Sequence, residues 1–408
     1  MLVEQDHKTP VRTAYARGSD TRATAARCIA QLGAIVPTML IVFCGGKIQP
    51  DVLLTCLQEA YGDAPIVGGS AAGVIARQGF GYSGLEVGVL AFLEPRVTPV
   101  ICSTHALLAG EHAAGQDLGR QVAGLATNDA FVLMFFDSVS AVAPPRLHPA
   151  SEIVEGFQQG LNGRNIELVG GGMLADLNFS DGWIFDGDAV ARHAAVALVF
   201  PGGLCAETMI FHGCVPVSTF MTITRIEGAE VFELDGKRAL DVIEQQLNFD
   251  IAGGTEQSLS LIATLGQKQG DPFAPYDENA YVNRLILTCD RARGSVTIFE
   301  PDFSVGTRVQ IMSRDSRMMV DSVRKGVEIA NRAIGRGESL FSLYVDCAGR
   351  ASVKSGAVVE EADILRSAIN QSIPFLGFYS GVEIAPFNGR PRPLDWTGVL
   401  ATVRFRPT

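Results

Sequence analysis

The sequence predicts an α/β fold with mixed sheets, arranged as internally duplicated strand–helix–strand units in two modules. Aliphatic runs of strand length alternate with segments whose apolar residues recur at helical spacing. The order strand, helix, glycine-ended strand, closing strand occurs twice in the first half of the chain and again, more loosely, near its end. Glycine turns too short to contain a helix join consecutive strands, so the sheets should include antiparallel neighbours.

The first unit begins with a helix that Ser19 or Asp20 caps and that Gly33 ends. The run LIVFCGG predicts a strand, and Pro50 opens a second helix. The run APIVGGS predicts a buried strand with a glycine pair, and EVGVLAFL closes the unit as a further strand. Each element therefore has a local signal of its own.

The second unit repeats this order with the runs DAFVLMFFD, PASEIVEGFQQGLNG, IELVGGG and AAVALVF. A third and looser copy consists of SLFSLYVD, EEADILRSAINQS, IPFLGFYSGVEI and GVLATVRF. Between these copies, a hairpin around Glu227–Gly228 precedes a helix capped by Asp235. We predict an N-terminal extension over residues 1–24, a first module over residues 25–210 and a second over residues 211–408.

The overall charge argues against two classes of partner. The chain has 33 basic and 44 acidic residues, a formal net charge of −11, which repels nucleic acid and anionic lipid. The N-terminus has no apolar signal segment, and the aliphatic runs are much shorter than the roughly 20 residues that cross a bilayer. The eight cysteines form no CxxC pair. We expect a cytoplasmic protein with neither a nucleic-acid nor a membrane partner.

The glycine pairs are candidate ligand-binding segments. Backbone N–H groups at Gly68, Gly69 and Ser70, and likewise at Gly171 and Gly172, can form a concavity that holds an anion. Neither segment fits a dinucleotide fingerprint or a phosphate-binding loop. The alternative is that glycine here permits close packing between the duplicated halves.

Two of the six histidines are candidate ligands of a haem iron or another metal. His193 begins the apolar run HAAVALVF, and His212 lies in IFHGCVPV beside Cys214. The alternative for each is a strand-end imidazole bonded to water or to the backbone. The other four, which we expect to be exposed, are His7, His105, His112 and His148.

A second group of candidates lies at one sheet end. Cys347 follows a predicted strand, and Arg350 comes three residues later. The thiol could act as a nucleophile if its pKa is lowered, and the guanidinium could bind a carboxylate. The alternative for Cys347 is a small buried apolar residue. Tyr379 and Glu383, on the neighbouring glycine-bearing strand, should point towards the same sheet end.

These segments resemble the FIST domains. LIVFCGG, PIVGGSAAGVI, ELVGGGMLAD and HGCVPV resemble the N-terminal FIST module over roughly residues 25–225. SLYVDCAGR, PFLGFYSGVEIAP and GVLATVRF resemble the C-terminal module over roughly residues 226–405. The resemblance implies a sensory module that binds a small ligand, with amino acids suggested for the family, and that reports to signalling proteins. The sequence contains no GxSxG, HExxH or kinase motif, so we expect no catalytic role.

A subset that this chain resembles, the NosP-type proteins, are haem proteins that sense nitric oxide and act on a partner histidine kinase. That resemblance implies a bound haem b. Among the histidines, His193 is the favoured ligand because its apolar strand could line a haem cavity, and His212 is second. A homodimer is a candidate assembly. A haem-free sensor is the alternative, in which Arg350 would hold the carboxylate of an amino acid and Glu383 its ammonium group. The third hypothesis is an enzyme with Cys347 as its nucleophile.

Overall fold

The computed structural model describes residues 9–127, 130–248, 259, 262–334, 339–387 and 389–406. Its strands form three six-stranded mixed sheets, a separate larger sheet and a small hairpin. Among these described residues, no helix combines the length and the apolar character needed to cross a bilayer.

Repeat 1 spans residues 11–92. Its elements are β1 (Val11–Arg17), α1 (Thr21–Leu32), β2 (Met39–Cys44), α2 (Pro50–Tyr61), β3 (Ile66–Ser70), β4 (Gly73–Ala76), β5 (Gly79–Gly81) and β6 (Glu86–Phe92). Strand β1 lies inside the predicted N-terminal extension and pairs with β6 along its whole length. Asp20 caps α1, because its carboxylate accepts the N–H of Ala23 at 2.9 Å.

Repeat 2 spans residues 100–199 and follows the same order. Its elements are β7 (Val100–Thr104), α3 (Glu111–Leu125), β8 (Phe131–Asp137), β9 (Val139–Val142), β10 (Pro145–Leu147), α4 (Ala150–Gly160), β11 (Glu167–Met173), β12 (Ile184–Gly187), β13 (Val190–Ala191) and β14 (Ala195–Val199). The additional hairpin of β9 and β10 is its main departure from repeat 1.

Repeat 3 is interrupted after its first strand, β15 (Leu204–Phe211), by a segment that we call the inserted domain. The inserted domain contains β16 (Val215–Pro216), β17 (Met221–Glu227), β18 (Glu230–Leu234), β19 (Lys237–Arg238), α5 (Ala239–Leu247), β20 (Ala263–Lys268), β21 (Tyr281–Asp290), β22 (Ser295–Ile298) and β23 (Arg308–Ser313). These strands form one sheet with its own apolar cluster.

Repeat 3 then resumes. Its remaining elements are α6 (Ser316–Ile334), β24 (Ser339–Cys347), α7 (Ser352–Ser355), α8 (Glu361–Ala368), β25 (Phe375–Ser380), β26 (Glu383–Phe387), β27 (Arg390–Leu394) and β28 (Gly398–Phe405). The inserted domain thus occupies the connection that in repeats 1 and 2 is a short link between the first strand and the first helix.

All three six-stranded sheets share one strand order. Each repeat contributes its first strand, its closing strand and two parallel strands, and a hairpin from another repeat completes the sheet. Hairpin β4–β5 joins the sheet of repeat 3, β12–β13 joins that of repeat 1, and β26–β27 joins that of repeat 2. This cyclic exchange of hairpins links each repeat to the other two.

The three sheets enclose a common apolar core. Its centre contains the rings of Phe43, Phe135 and Phe378, one from each repeat, with centroids 4.3–5.9 Å apart. The strands that surround them are buried on both faces, so they are continuous apolar runs without alternation. The structure confirms the α/β class, the mixed sheets and the repeated units. The two modules correspond to repeats 1 and 2, and to repeat 3 with its inserted domain.

Candidate functional site

A cavity of about 500 Å³ lies between the inserted domain and the repeats. Its floor is at the carboxyl ends of the parallel strands β24 and β25, where Cys347 and Ser380 are the last residues. Ligands of open α/β sheets commonly bind at this edge, because the chain leaves the sheet there and opens a crevice. The volume is in the range of small-molecule sites, which hold roughly 300–1,000 Å³.

The wall of the cavity is assembled from three separate parts of the chain. The loop after β11 contributes Leu177 and Phe179, and the inserted domain contributes Leu285, Leu287 and Phe299. Repeat 3 supplies the rest of the wall, which includes the side chains of Cys347, Val353, Lys354, Ser380, Asp395 and Trp396. Most of this wall is apolar or aromatic, with a few polar groups at the floor and one cation at the rim.

Asp395 is the buried charged group of the cavity lining. The residue is 3% exposed, and its carboxylate accepts from Arg284 Nη1 at 3.3 Å and from the N–H of Leu285 at 3.1 Å. Burial raises the pKa of Asp395 to about 7, against the lowering effect of Arg284. Asp395 therefore changes its protonation state near neutral pH.

Cys347 and Ser380 lie side by side at the floor of the cavity. Burial, reinforced by the nearby Glu383 carboxyl, raises the pKa of the Cys347 thiol well above its ordinary value. Such a thiol stays protonated and is a poor nucleophile. Ser380 Oγ lies 2.6 Å from Glu383 Oε1 and 3.0 Å from the carbonyl oxygen of Asp346, and it donates to one of them.

Arg350 and Tyr379 lie behind this floor, where neither lines the cavity. Arg350 is fully buried and binds both carboxylate oxygens of Glu361, at 2.5 and 2.6 Å. It also donates to the carbonyl oxygens of His212 and Trp396 at 3.1 and 3.0 Å. The Tyr379 hydroxyl donates to Glu360 at 2.8 Å. To bind a ligand carboxylate, Arg350 would have to break its two hydrogen bonds with Glu361.

The first glycine pair lies within strand β3. A Cβ at Gly68 would collide with the carbonyl oxygen of Val42, and one at Gly69 with that of Trp183. The φ angle of +115° at Gly68 is in the region that favours glycine. The N–H of Ser70 donates to the Trp183 carbonyl at 3.0 Å, so it takes part in the sheet. This geometry fits the close-packing alternative.

The second glycine pair has the same surroundings in β11. A Cβ at Gly171 would lie 2.8 Å from both Val345 Cγ1 and the carbonyl oxygen of Val382, and one at Gly172 would collide with the Ser138 hydroxyl. The N–H of Gly172 donates to Val382 at 2.9 Å. Neither pair lines the cavity.

His193 belongs to a chain of hydrogen-bonded side chains away from the cavity. Its Nδ1 lies 3.2 Å from His148 Nε2, and His148 Nδ1 lies 2.8 Å from Glu111. The backbone N–H of His193 donates to Asp137 at 2.8 Å and holds the residue at a φ of +50°. The expected exposure of His148 was wrong: the residue is 1% exposed, because Glu111 and His193 satisfy both ring nitrogens of His148.

His212 is fully buried, with both ring nitrogens in hydrogen bonds. Its Nδ1 accepts the N–H of Cys214 at 2.9 Å, which leaves the proton on Nε2 to donate to the carbonyl oxygen of Glu278 at 2.8 Å. A metal ion could bind neither nitrogen without breaking one of these bonds. The imidazole therefore has a structural role at the start of the inserted domain.

The side chains around the cavity do not fit a haem. Neither His193 nor His212 is part of the cavity wall, and the wall's one thiol, Cys347, is held protonated. Within the described ranges, no three His, Cys, Asp or Glu side chains are grouped so that they could hold a metal ion. We therefore assign no haem-binding residue in this cavity.

The structure thus brings one predicted residue, Cys347, to the cavity surface, with Arg350, Tyr379 and Glu383 directly behind it. Asp395 and Trp396 also line the cavity. They lie in LDWTG, where the sequence departs from the family pattern, but they were not among the predicted ligand-binding residues. Sequence reasoning also missed the apolar residues of the inserted domain, whose alternating strands gave no sign that they face a cavity.

Comparisons with known proteins match nearly the whole chain. A family model described as FIST N domain matches residues 38–237, and one described as FIST C domain matches residues 239–386. An uncharacterized protein of Mycobacterium tuberculosis strain H37Rv is 23% identical over 381 residues, which cover 88% of this chain and 98% of that protein.

Two further likenesses are more distant. An uncharacterized protein of Methanocaldococcus jannaschii is 24% identical over 249 residues, covering 58% of this chain and 45% of that protein. A solved structure, titled as a cyanuic acid hydrolase from A. caulinodans, aligns with 98% of this chain and 99% of its own at 11% identity and a TM-score of 0.38. A likeness at that level carries no functional argument.

Proposed function

The chain belongs to the FIST family, and we propose that it is a sensory protein whose small ligand binds in the cavity between the inserted domain and repeat 3. FIST domains are associated with sensory signal transduction. The observation that carries the proposal is the convergence of repeat 2, the inserted domain and repeat 3 on one cavity of ligand size.

The same geometry supports a route from ligand to signal. Phe299 lines the cavity, and the next residue, Glu300, accepts the N–H groups of Ala150 and Ser151 at 3.2 and 2.9 Å. These N–H groups form the first turn of α4 in repeat 2, so Glu300 fastens the inserted domain to that helix. A ligand that binds Phe299 more tightly in one arrangement of the Glu300–α4 contact than in another would shift the equilibrium towards the first arrangement.

Other parts of the expectation stay predictions. A partner histidine kinase follows from the resemblance alone, and a homodimer stays a candidate assembly. The nitric-oxide sensor with haem b also follows from the resemblance, and an absorption spectrum of protein made with ample haem tests it. For an amino acid, the arrangement with Arg350 and Glu383 would require both groups to leave their present partners. The raised pKa of Cys347 disfavours a thiolate and therefore argues against Cys347 as a catalytic nucleophile.

Narrowing the cavity at its rim should abolish ligand binding. Val353 is 64% exposed, so Val353→Trp adds bulk there at little cost to the folded state. The matched control is Val36→Trp. Val36 is 87% exposed, lies between α1 and β2 in repeat 1, and is not part of the cavity wall. The measurement is thermal unfolding with the twenty amino acids, phenethylamine, 3-phenylpropionate and 2-phenylethanol.

We expect at least one compound to raise the melting temperature of the wild type and of Val36→Trp, and to lose this effect in Val353→Trp. A ligand at 100 times its Kd stabilises the folded state by about 2.7 kcal/mol, which thermal unfolding resolves easily. The proposal fails if no compound acts, or if Val353→Trp responds as strongly as its control.

A further inference from the structure

We infer that the ligand of this cavity is a small organic cation, an amine with an aromatic or branched apolar body whose ammonium group pairs with Asp395. This inference rests on the proposed ligand-binding function and adds the chemical class of the ligand. Three observations support it: the charge balance around Asp395, the burial of Asp395 compared with that of Lys354, and the aromatic lining of the cavity.

The first step is the charge balance around Asp395. Arg284 is fully buried and binds Asp302 through two hydrogen bonds of 2.6 Å each, and Arg392 binds the same carboxylate at 2.8 Å. Asp302 thus takes the short contacts of both guanidinium groups. Asp395 has a longer contact of 3.3 Å to Arg284, besides the backbone N–H of Leu285 at 3.1 Å.

Glu300 is the third carboxyl group of this network, and it lies near Arg284 and Asp302. Burial, reinforced by the nearby Asp395, raises the pKa of Glu383 well above its ordinary value, so this further carboxyl group is protonated and adds no charge to the balance. The remaining three carboxyl groups, Asp302, Asp395 and Glu300, are beside only two guanidinium groups, Arg284 and Arg392. One additional positive charge at the cavity face of Asp395 would complete the balance.

The second step compares the two charged residues of the wall. Asp395 is 3% exposed, whereas Lys354 is exposed at the rim and donates to Asn178 Oδ1 at 3.0 Å. Charge interactions in a buried environment are much less screened than those in water. The acidic group at the floor should therefore decide which sign of charge the cavity prefers.

The third step concerns the body of the ligand. Phe179, Phe299 and Trp396 give the cavity an aromatic wall, to which Leu177 and Leu285 add aliphatic surface. Ring faces attract cations as well as apolar groups. Trp396 already contacts a cation in this way, because Arg314 Cζ lies 3.1 Å from its ring centroid. Arg314 is not part of the cavity lining. An ammonium group on an apolar body matches both features.

The test compares three compounds of one shape and different charge by calorimetry: phenethylamine, 2-phenylethanol and 3-phenylpropionate. We expect phenethylamine to bind at least tenfold more tightly than the alcohol, and the carboxylate to bind more weakly than the alcohol. If none of the three binds, the proposed function itself is in question. If the alcohol or the carboxylate binds as tightly as the amine, the cavity binds ligands but the inference of a cation is wrong.

The pH dependence gives a second readout in the unmodified protein. The amine favours ionised Asp395, so the pKa of Asp395 is lower in the complex than its free value of about 7. Affinity should then be constant above about pH 7 and fall by up to tenfold per unit below it, because a proton must leave as the amine binds. An affinity that is flat from about pH 6 to pH 8, or that rises on acidification, would overturn the inference.

Two variants locate the effect. Asp395→Asn should abolish the preference for the amine over the alcohol. The matched change Asp321→Asn should leave it intact, since Asp321 is an exposed residue of α6 outside the cavity wall. If Asp395→Asn does not fold, the charge series and the pH profile of the unmodified protein still decide. A loss of amine preference in Asp321→Asn, or its persistence in a folded Asp395→Asn, would contradict the assignment of Asp395.

Discussion

Gly170→Ala should prevent the chain from folding stably. In all three repeats, one glycine faces the backbone carbonyl of its neighbour on the parallel strand: Gly68 faces Val42, Gly170 faces Met134, and Gly377 faces Tyr344. A Cβ at Gly170 would collide with the Met134 oxygen, which is backbone and cannot move aside without breaking the sheet. We expect a loss above about 4 kcal/mol, the range of the most damaging single substitutions.

The measurement is urea unfolding followed by circular dichroism, with Gly124→Ala as the matched control. Gly124 is an exposed glycine of α3 with open space around its Cα, so alanine there should stabilise the helix by up to about 1 kcal/mol. If Gly170→Ala unfolds within about 1 kcal/mol of the wild type, the close-packing role of these glycines is wrong.

Arg350→Met should destabilise the protein by about 3–5 kcal/mol, because it leaves the buried Glu361 without its cation. It also removes the donors to the His212 and Trp396 carbonyls, which join the entry of the inserted domain to the turn before β28. The double variant Arg350→Met/Glu361→Gln should recover part of the loss, since the second change removes the uncompensated charge.

The control is Arg332→Met, which removes an arginine from an ion pair with Glu328 in which both side chains are 73% exposed. That change should cost less than about 1 kcal/mol. Free energies of unfolding from urea titrations check all three variants. Equal losses for Arg350→Met and Arg332→Met, or no recovery in the double variant, would show that Arg350 is not a structural ion-pair centre.

Local signals in the sequence were sufficient to predict several elements. The predicted cap at Asp235 was wrong: α5 begins at Ala239, and the Asp235 carboxylate accepts the N–H of Thr222 at 2.8 Å. The cap of α1 depends on Asp20 and the three residues that follow it, so the prediction needed no distant partner. The helix opened by Pro50 and the buried runs of β2 and β8 were predictable for the same reason. What these patterns do not encode is which strand pairs with which.

The exchange of hairpins shows this limit most clearly. Strand β4 follows β3 in the chain but pairs with β25. In this pairing Val74 lies opposite Phe378, which is about three hundred residues away in the chain. His148 illustrates the same point for side chains, since Arg146 and two prolines precede it and suggest a surface turn. Its partners, Glu111 and His193, are 37 and 45 residues away.

The site was predictable only at its floor. Cys347 was recognisable because it ends an apolar run, and strand ends often carry functional groups. Asp395 lies 110 residues from Leu285, whose N–H it accepts, so no local pattern joins them. His193 and His212 were candidates because imidazoles are common metal ligands. Their rings instead form hydrogen bonds with His148, and with Cys214 and Glu278, outside the cavity wall.

The most direct test of the central claim uses Trp396, one of two tryptophans in the chain, as a reporter inside the cavity. In Trp183→Phe, all tryptophan emission comes from Trp396. Titration with phenethylamine, 3-phenylpropionate and 2-phenylethanol should give a saturable change in that emission for at least one compound, and Val353→Trp should prevent binding of that compound in calorimetry. Emission that stays constant with all three compounds, or calorimetric binding unaffected by Val353→Trp, would contradict a ligand site at this junction.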